Sequence, residues 1–160
     1  MGNNKACSFL TINISTPTLH LLLQYLKSTN TTLLGNRKIH NVLFYLLQHK
    51  PRDAPLLLWL QGGPGLSSLF GQFLEIGPLG MNDRGHLFIR NASLNTRVNV
   101  VYLDQPVGAG FSYTKGLLGY AKDLDDVAEG VLEFLKQFLK MFPEYKNREF
   151  YVGGESYGGE

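Results

Sequence analysis

Apolar residues gather into runs along this 160-residue chain, and their spacing changes from one run to the next. From residue 38, KIHNVLFYLLQHK is a strand-like apolar run closed by the polar turn KPRDAP. PLLLWLQ follows, apolar on both faces, which predicts a strand inside a sheet covered on both sides. After the turn GGPG, SSLFGQFLEIG predicts a short helix, and GPLGMNDRGH reads as turns. VNVVYLD is a second two-sided apolar strand and ends in the glycine-rich loop QPVGAGFSY. Residues 121–142 carry the strongest helical period: Leu124, Val127, Val131, Leu135, Phe138 and Phe142 recur at steps of three and four, with charged residues opposite. Asp123 is its N-cap and Pro143 lies just past its end. EFYVGG is the last strand. Strands alternating with helical segments, without internal repeats, predict an α/β fold with a mixed, mostly parallel sheet and crossover connections.

Residues 1–34 lack this regularity and read as a divergent or weakly structured lead-in to a domain spanning 35–160. Asn13, Ser15, Thr16 and Pro17 interrupt any apolar signal region, so no signal peptide is recognised there. MGNNKA lacks the hydroxyl residue at its sixth position that favours myristoylation. The composition narrows the partners. A net charge of +2 with both signs scattered argues against nucleic acid or an acidic membrane. No apolar run reaches the roughly 18 to 20 residues of a spanning helix. The single cysteine, Cys7, cannot form an internal disulfide and leaves the redox compartment open. Three sequons, at Asn13, Asn30 and Asn91, would permit glycosylation in a secretory setting.

Candidate chemistry sits at the end of the last strand. Gly154-Glu155-Ser156-Tyr157-Gly158 has the G-x-S-x-G form and follows a strand, as a nucleophile elbow requires. A serine on so sharp a turn holds strained backbone angles, and side chains two residues to either side would collide. Taken alone, the stretch fits a glycine-rich turn with an incidental serine equally well. A second motif separates the readings. LLLWLQGGPG places paired glycines at the end of an earlier strand, where unhindered N–H groups can reach a tetrahedral oxygen.

Together with FGQFLEIGP, YLDQPVGAGFSY and FPEYKNREFYVGGESYGG, in that order and spacing, this set resembles the serine carboxypeptidases, and most nearly their vitellogenic carboxypeptidase-like branch. The resemblance runs from about residue 41 to the end of the chain. It implies a partial α/β-hydrolase fold, truncated after the nucleophile strand, and release of C-terminal amino acids from peptides through an acyl-enzyme. Ser156 matches the nucleophile, and the N–H groups of Gly63 and Tyr157 match the oxyanion hole. Trp59, Gln61, Glu75 and Glu155 fall where the family holds the substrate's terminal carboxylate. Position 61 is Asn in many members, and Gln keeps the amide donor on a longer arm. Leu66 stands where relatives often have a disulfide-bonded Cys, Gly158 where Ala is usual, and RNASLNTRVNV departs from a frequent Trp-Asn pair.

Two glutamates suit a carboxylate site only if they share a proton, because ionised carboxylates would repel the substrate. The implied chemistry needs no cofactor and no metal. Its partners are peptide or protein C-termini, in a secretory, lysosomal, vacuolar or extracellular setting. The histidines, His20, His40, His49 and His86, all precede Ser156, whereas this fold orders its triad Ser, Asp, His. The triad Asp and His are therefore expected in a C-terminal portion absent from this chain, which predicts an inactive piece. The alternatives are a half-domain that grips peptide ends without cutting them, and an esterase or acyltransferase relative. An exposed edge at EFYVGG is expected to favour self-association.

Overall fold

The computed structural model describes residues 31–32, 38–40, 42–45, 53–114 and 116–160. In chain order the strands are Thr31–Thr32 (β1), Lys38–His40 (β2), Val42–Tyr45 (β3), Leu56–Leu60 (β4), Leu79–Met81 (β5), Leu87–Ile89 (β6), Asn99–Leu103 (β7), Tyr113–Thr114 (β8) and Phe150–Gly154 (β9). One long helix, Leu124–Met141 (α1), lies between the last two strands.

The central sheet has the order β3-β7-β4-β9. β4 pairs in parallel with β7 on one side and β9 on the other, and β3 closes the sheet antiparallel to β7. Parallel neighbours need crossovers, and the two available ones cover opposite faces. α1 covers one face: Leu56, Leu58, Val101 and Leu103 pack with Phe134 and Phe138. On the other, Val100 and Tyr102 pack with Leu79, and Leu57, Trp59, Phe73 and Ile76 close over them. The alternation of odd and even positions between these clusters is the period of two that a strand imposes. All five residues of β7 are buried.

α1 forms where its period predicts, three residues shorter at its start. Asp123 caps it, its carboxylate accepting from the Asp126 N–H at 2.9 Å, while the Asp126 carboxylate accepts from the Lys122 N–H at 3.1 Å. Phe134 and Phe138 on its inner face, Phe142 at its C-cap and Tyr145 on the turn beyond pack together, with ring centroids 4.9 to 6.2 Å apart. The short helix expected over SSLFGQFLEIG is a π-helical turn, Gly71–Ile76. Gln72 on that turn is fully buried, and its amide has no hydrogen-bond partner among the described residues.

Three expectations change. The run from residue 38 is not one strand: β2 pairs with β1 and β8, whereas β3 joins the central sheet, and residues 46–50 lie outside the described residues. Thr31–Thr32, in the stretch read as lead-in, forms β1. GPLGMNDRGH is more than turns, because Leu79–Met81 pairs antiparallel with Leu87–Ile89. The Asn82 side chain organises this hairpin, accepting from the N–H groups of Arg84 at 3.0 Å and His86 at 2.8 Å. Strands of three residues leave too short a pattern to read. β9 is apolar but not covered like β7: Phe150, Tyr151 and Val152 are 43, 53 and 58% exposed. Among the described residues it is the outermost strand of the sheet, paired on β4 alone.

Candidate active site

The site is assembled by the ends of three parallel strands. Leu60 is in register with Leu103 on one side and Gly154 on the other, so Gln61, Asp104 and Glu155 leave the sheet side by side. A polar residue placed just beyond an apolar strand must find partners as it leaves the ladder, and each of the three does.

On the β9 side the chain turns sharply. Glu155 is extended, and Ser156 holds φ of 53°, in the left-handed region that side chains rarely occupy. A 3-10 turn, Ser156–Gly159, follows and exposes the serine. The glycines of the motif are sterically required: a Cβ on Gly154 would run into the Gly158 carbonyl, and one on Gly158 into the Leu60 carbonyl. Gly62 lies against this turn, its Cβ direction 2.9 Å from the Ser156 Cβ and 3.2 Å from the Tyr157 nitrogen. Gly63, the next residue, holds φ of 114°, in the left-handed region.

Trp59, Gln61 and Glu155 form a hydrogen-bonded chain. The Trp59 indole N–H donates to Gln61 Oε1 at 3.0 Å, and Gln61 Nε2 donates to Glu155 Oε2 at 2.6 Å. These bonds orient the Gln61 amide, so the longer side chain keeps a defined donor between the two carboxyls. Glu75 arrives from the π-helical turn. Burial holds its carboxyl above the ordinary 4.5, a hydrogen bond with Glu155 and the Glu155 charge raise it further, and a hydrogen bond from Gln61 opposes them. The turn comes this close because residue 71 is glycine: a Cβ there would stand 2.7 Å from Gln61 Oε1 and 3.0 Å from Trp59 Cδ1.

All seven residues singled out in the sequence, Trp59, Gln61, Gly63, Glu75, Glu155, Ser156 and Tyr157, thus lie at one end of the sheet or on the turns that meet it. The expectation missed what holds the loops. Asp104, 4% exposed, accepts from the Ser67 hydroxyl at 2.6 Å and the Ser68 N–H at 2.9 Å through one oxygen, and from the Phe111 N–H at 2.8 Å through the other. The Ser68 hydroxyl donates to the Leu103 carbonyl at 2.5 Å and accepts from the Gln61 N–H at 3.2 Å. An acidic residue directly after a two-sided apolar strand was the available signal. Of the histidines, His86 lies in the β5–β6 hairpin and the backbone of His40 in β2, while His20 and His49 lie outside the described residues. No group of three or more potential metal ligands gathers among the described residues.

A parallel sheet with a serine turn at the carboxyl end of a strand defines part of an α/β-hydrolase fold. The solved structure of a prohormone-processing carboxypeptidase from Saccharomyces cerevisiae, KEX1, superposes with a TM-score of 0.76 at 29% identity, covering 83% of this chain and 31% of that one. The chain belongs to the serine carboxypeptidase family, whose sequence model matches residues 30–160. It is 50% identical over 117 residues to the probable serine carboxypeptidase CPVL of Homo sapiens, covering 73% of this chain and 25% of that protein. It is 44% identical over 128 residues to the venom serine carboxypeptidase of Apis mellifera, covering 78% and 27% respectively. The chain therefore spans about a quarter of the length of these curated relatives.

Proposed function

We propose that this chain carries the nucleophile, the oxyanion donors and the carboxylate clamp of a serine carboxypeptidase. The Ser156 hydroxyl attacks the carbonyl of the last peptide bond, losing its proton to a general base, and the N–H groups of Gly63 and Tyr157 hold the oxyanion. The C-terminal amino acid leaves with a proton on its nitrogen, and water then releases the acyl group from Ser156. Trp59, Gln61, Glu75 and Glu155 bind the terminal carboxylate, and the Glu75–Glu155 pair donates a hydrogen bond from its shared proton. The carrying observation is the chain from Trp59 through Gln61 to Glu155, with the Glu75 carboxyl raised above its ordinary range by burial and by Glu155 beside it. An esterase has no use for such a clamp. The family relationship supports a secretory, lysosomal or vacuolar setting.

Calorimetric titration with one peptide as free acid and as C-terminal amide tests the clamp. The free acid binds at acidic pH and loses affinity as pH rises, and Glu75→Gln with Glu155→Gln flattens that loss. Equal binding of acid and amide would refute the clamp.

A further inference from the structure

We propose that Asn91 is an N-glycosylation site of this protein. Asn91-Ala92-Ser93 has the acceptor pattern N-x-S with no proline between. The structure adds four observations. Asn91 is exposed, in a bend just after β6. Ser93 is extended, with φ of −152° and ψ of 160°, and its hydroxyl makes no capping bond to the 3-10 turn that follows, so it stays available to an enzyme reading the triplet. The triplet lies at the harmless end of the sheet: residues 91–98 lead into the first residue of β7, whereas Gln61, Asp104 and Glu155 leave the opposite ends of these parallel strands. A sugar on Asn91 therefore stands away from Ser156. Finally, the bend is flanked by exposed apolar side chains, Phe88 at 46%, Ile89 at 41% and Leu94 at 42%. A bulky hydrophilic group between them would shield a strip that otherwise invites association.

The co-reactant is a polyprenyl-diphosphate-linked oligosaccharide. The Asn91 amide nitrogen forms a bond to the anomeric carbon of the first sugar and loses one proton. The bond from that carbon to the diphosphate oxygen breaks, and polyprenyl diphosphate leaves with the electron pair. No oxidant or reductant is involved.

The inference rests on the secretory setting proposed above, but its test reads the acceptor itself and is independent of peptidase activity. The full chain, bearing Asn13→Gln and Asn30→Gln and preceded by a cleavable secretory leader, is translated in vitro with endoplasmic-reticulum microsomes. Only protease-protected, translocated chains are scored, so the readout does not depend on folding. One glycosidase-sensitive step in mobility is expected. Asn91→Gln and Ser93→Ala each abolish it, and Ser93→Thr restores it. Release by peptide N-glycosidase in heavy-oxygen water should label residue 91 alone. Translocated chains without the step, or with a step that survives Asn91→Gln, would overturn the proposal.

Discussion

β7 and β9 have near-equal claims to the core when read as sequence: each is an apolar run on both faces, and each flanks β4 in the same parallel register. The structure treats them differently. Every residue of β7 is buried between α1 and the π-helical turn, whereas the first three residues of β9 are each more than two-fifths exposed. An apolar strand states what it can tolerate on its faces, not whether it receives it. Position within the sheet settles that, because only an inner strand has ladder partners on both edges and cover on both faces.

The widest separation between the two strands should appear on truncating a side chain. Leu103→Ala in β7 is expected to cost about 2 to 5 kcal/mol, the range for a filled core site left as a cavity. Val152→Ala in β9 should cost under about 1 kcal/mol. Urea melts of the two variants decide it, and equal losses would erase the distinction. Next in size is the polar anchor at the end of β7. Asp104→Ala leaves the Ser67, Ser68 and Phe111 donors without their acceptor and should cost roughly 2 to 3 kcal/mol, with faster proteolysis between residues 105 and 113. Beyond β9, Glu155 is exposed and bonded to side chains rather than to loop backbone, so Glu155→Ala should cost less.

The exposed edge of β9 should also reveal itself in association. A lysine there blocks strand-to-strand pairing, so Val152→Lys is expected to raise the midpoint concentration of self-association about tenfold, equivalent to roughly 1.4 kcal/mol. Sedimentation that is unchanged by this variant would mean that copies do not meet through β9. The smallest effect is on pH dependence. Glu75 is protonated more readily in the folded chain than in the unfolded one, so its contribution is full below 4.5 and declines as pH rises through its raised value. Between those points the folded state binds the extra proton, and stability falls with rising pH. Glu75→Gln should flatten that slope in thermal melts across the acidic range.

Much of the site was legible because its motifs are backbone requirements written as glycines: Gly154 and Gly158 around Ser156, and the pair after LLLWLQ. The four residues proposed as a clamp were reached through the family resemblance, and their hydrogen bonds and the raised Glu75 carboxyl are consistent with that grouping. The helix α1 was legible from its period and from Asp123. What escaped depends on long-range pairing. The β5–β6 hairpin has strands too short to show alternation, and its organiser, Asn82, looks like any other turn residue. Asp104 gathers donors from two loops, 36 or 37 residues before it and seven after it, a convergence that no local window contains. Gln72, buried without amide partners among the described residues, runs against any reading of the π-helical turn as a simple amphipathic helix.

The shared end of the parallel strands makes the sheet a ruler. Neighbouring strands stand about 4.8 Å apart, and the 2.6 Å contact between Gln61 and Glu155 spans that gap only because Leu60 and Gly154 are level. A single residue inserted or removed within 150–154 would slide Ser156 into the place of Glu155 or carry it one step beyond, and would turn every side chain of the strand to the opposite face. Length changes before Phe150 face no such penalty, since the connection from α1 can absorb them without altering the register. Changes of length are thus tolerated only in the approach to the strand, while the five residues that set its reach act as one block.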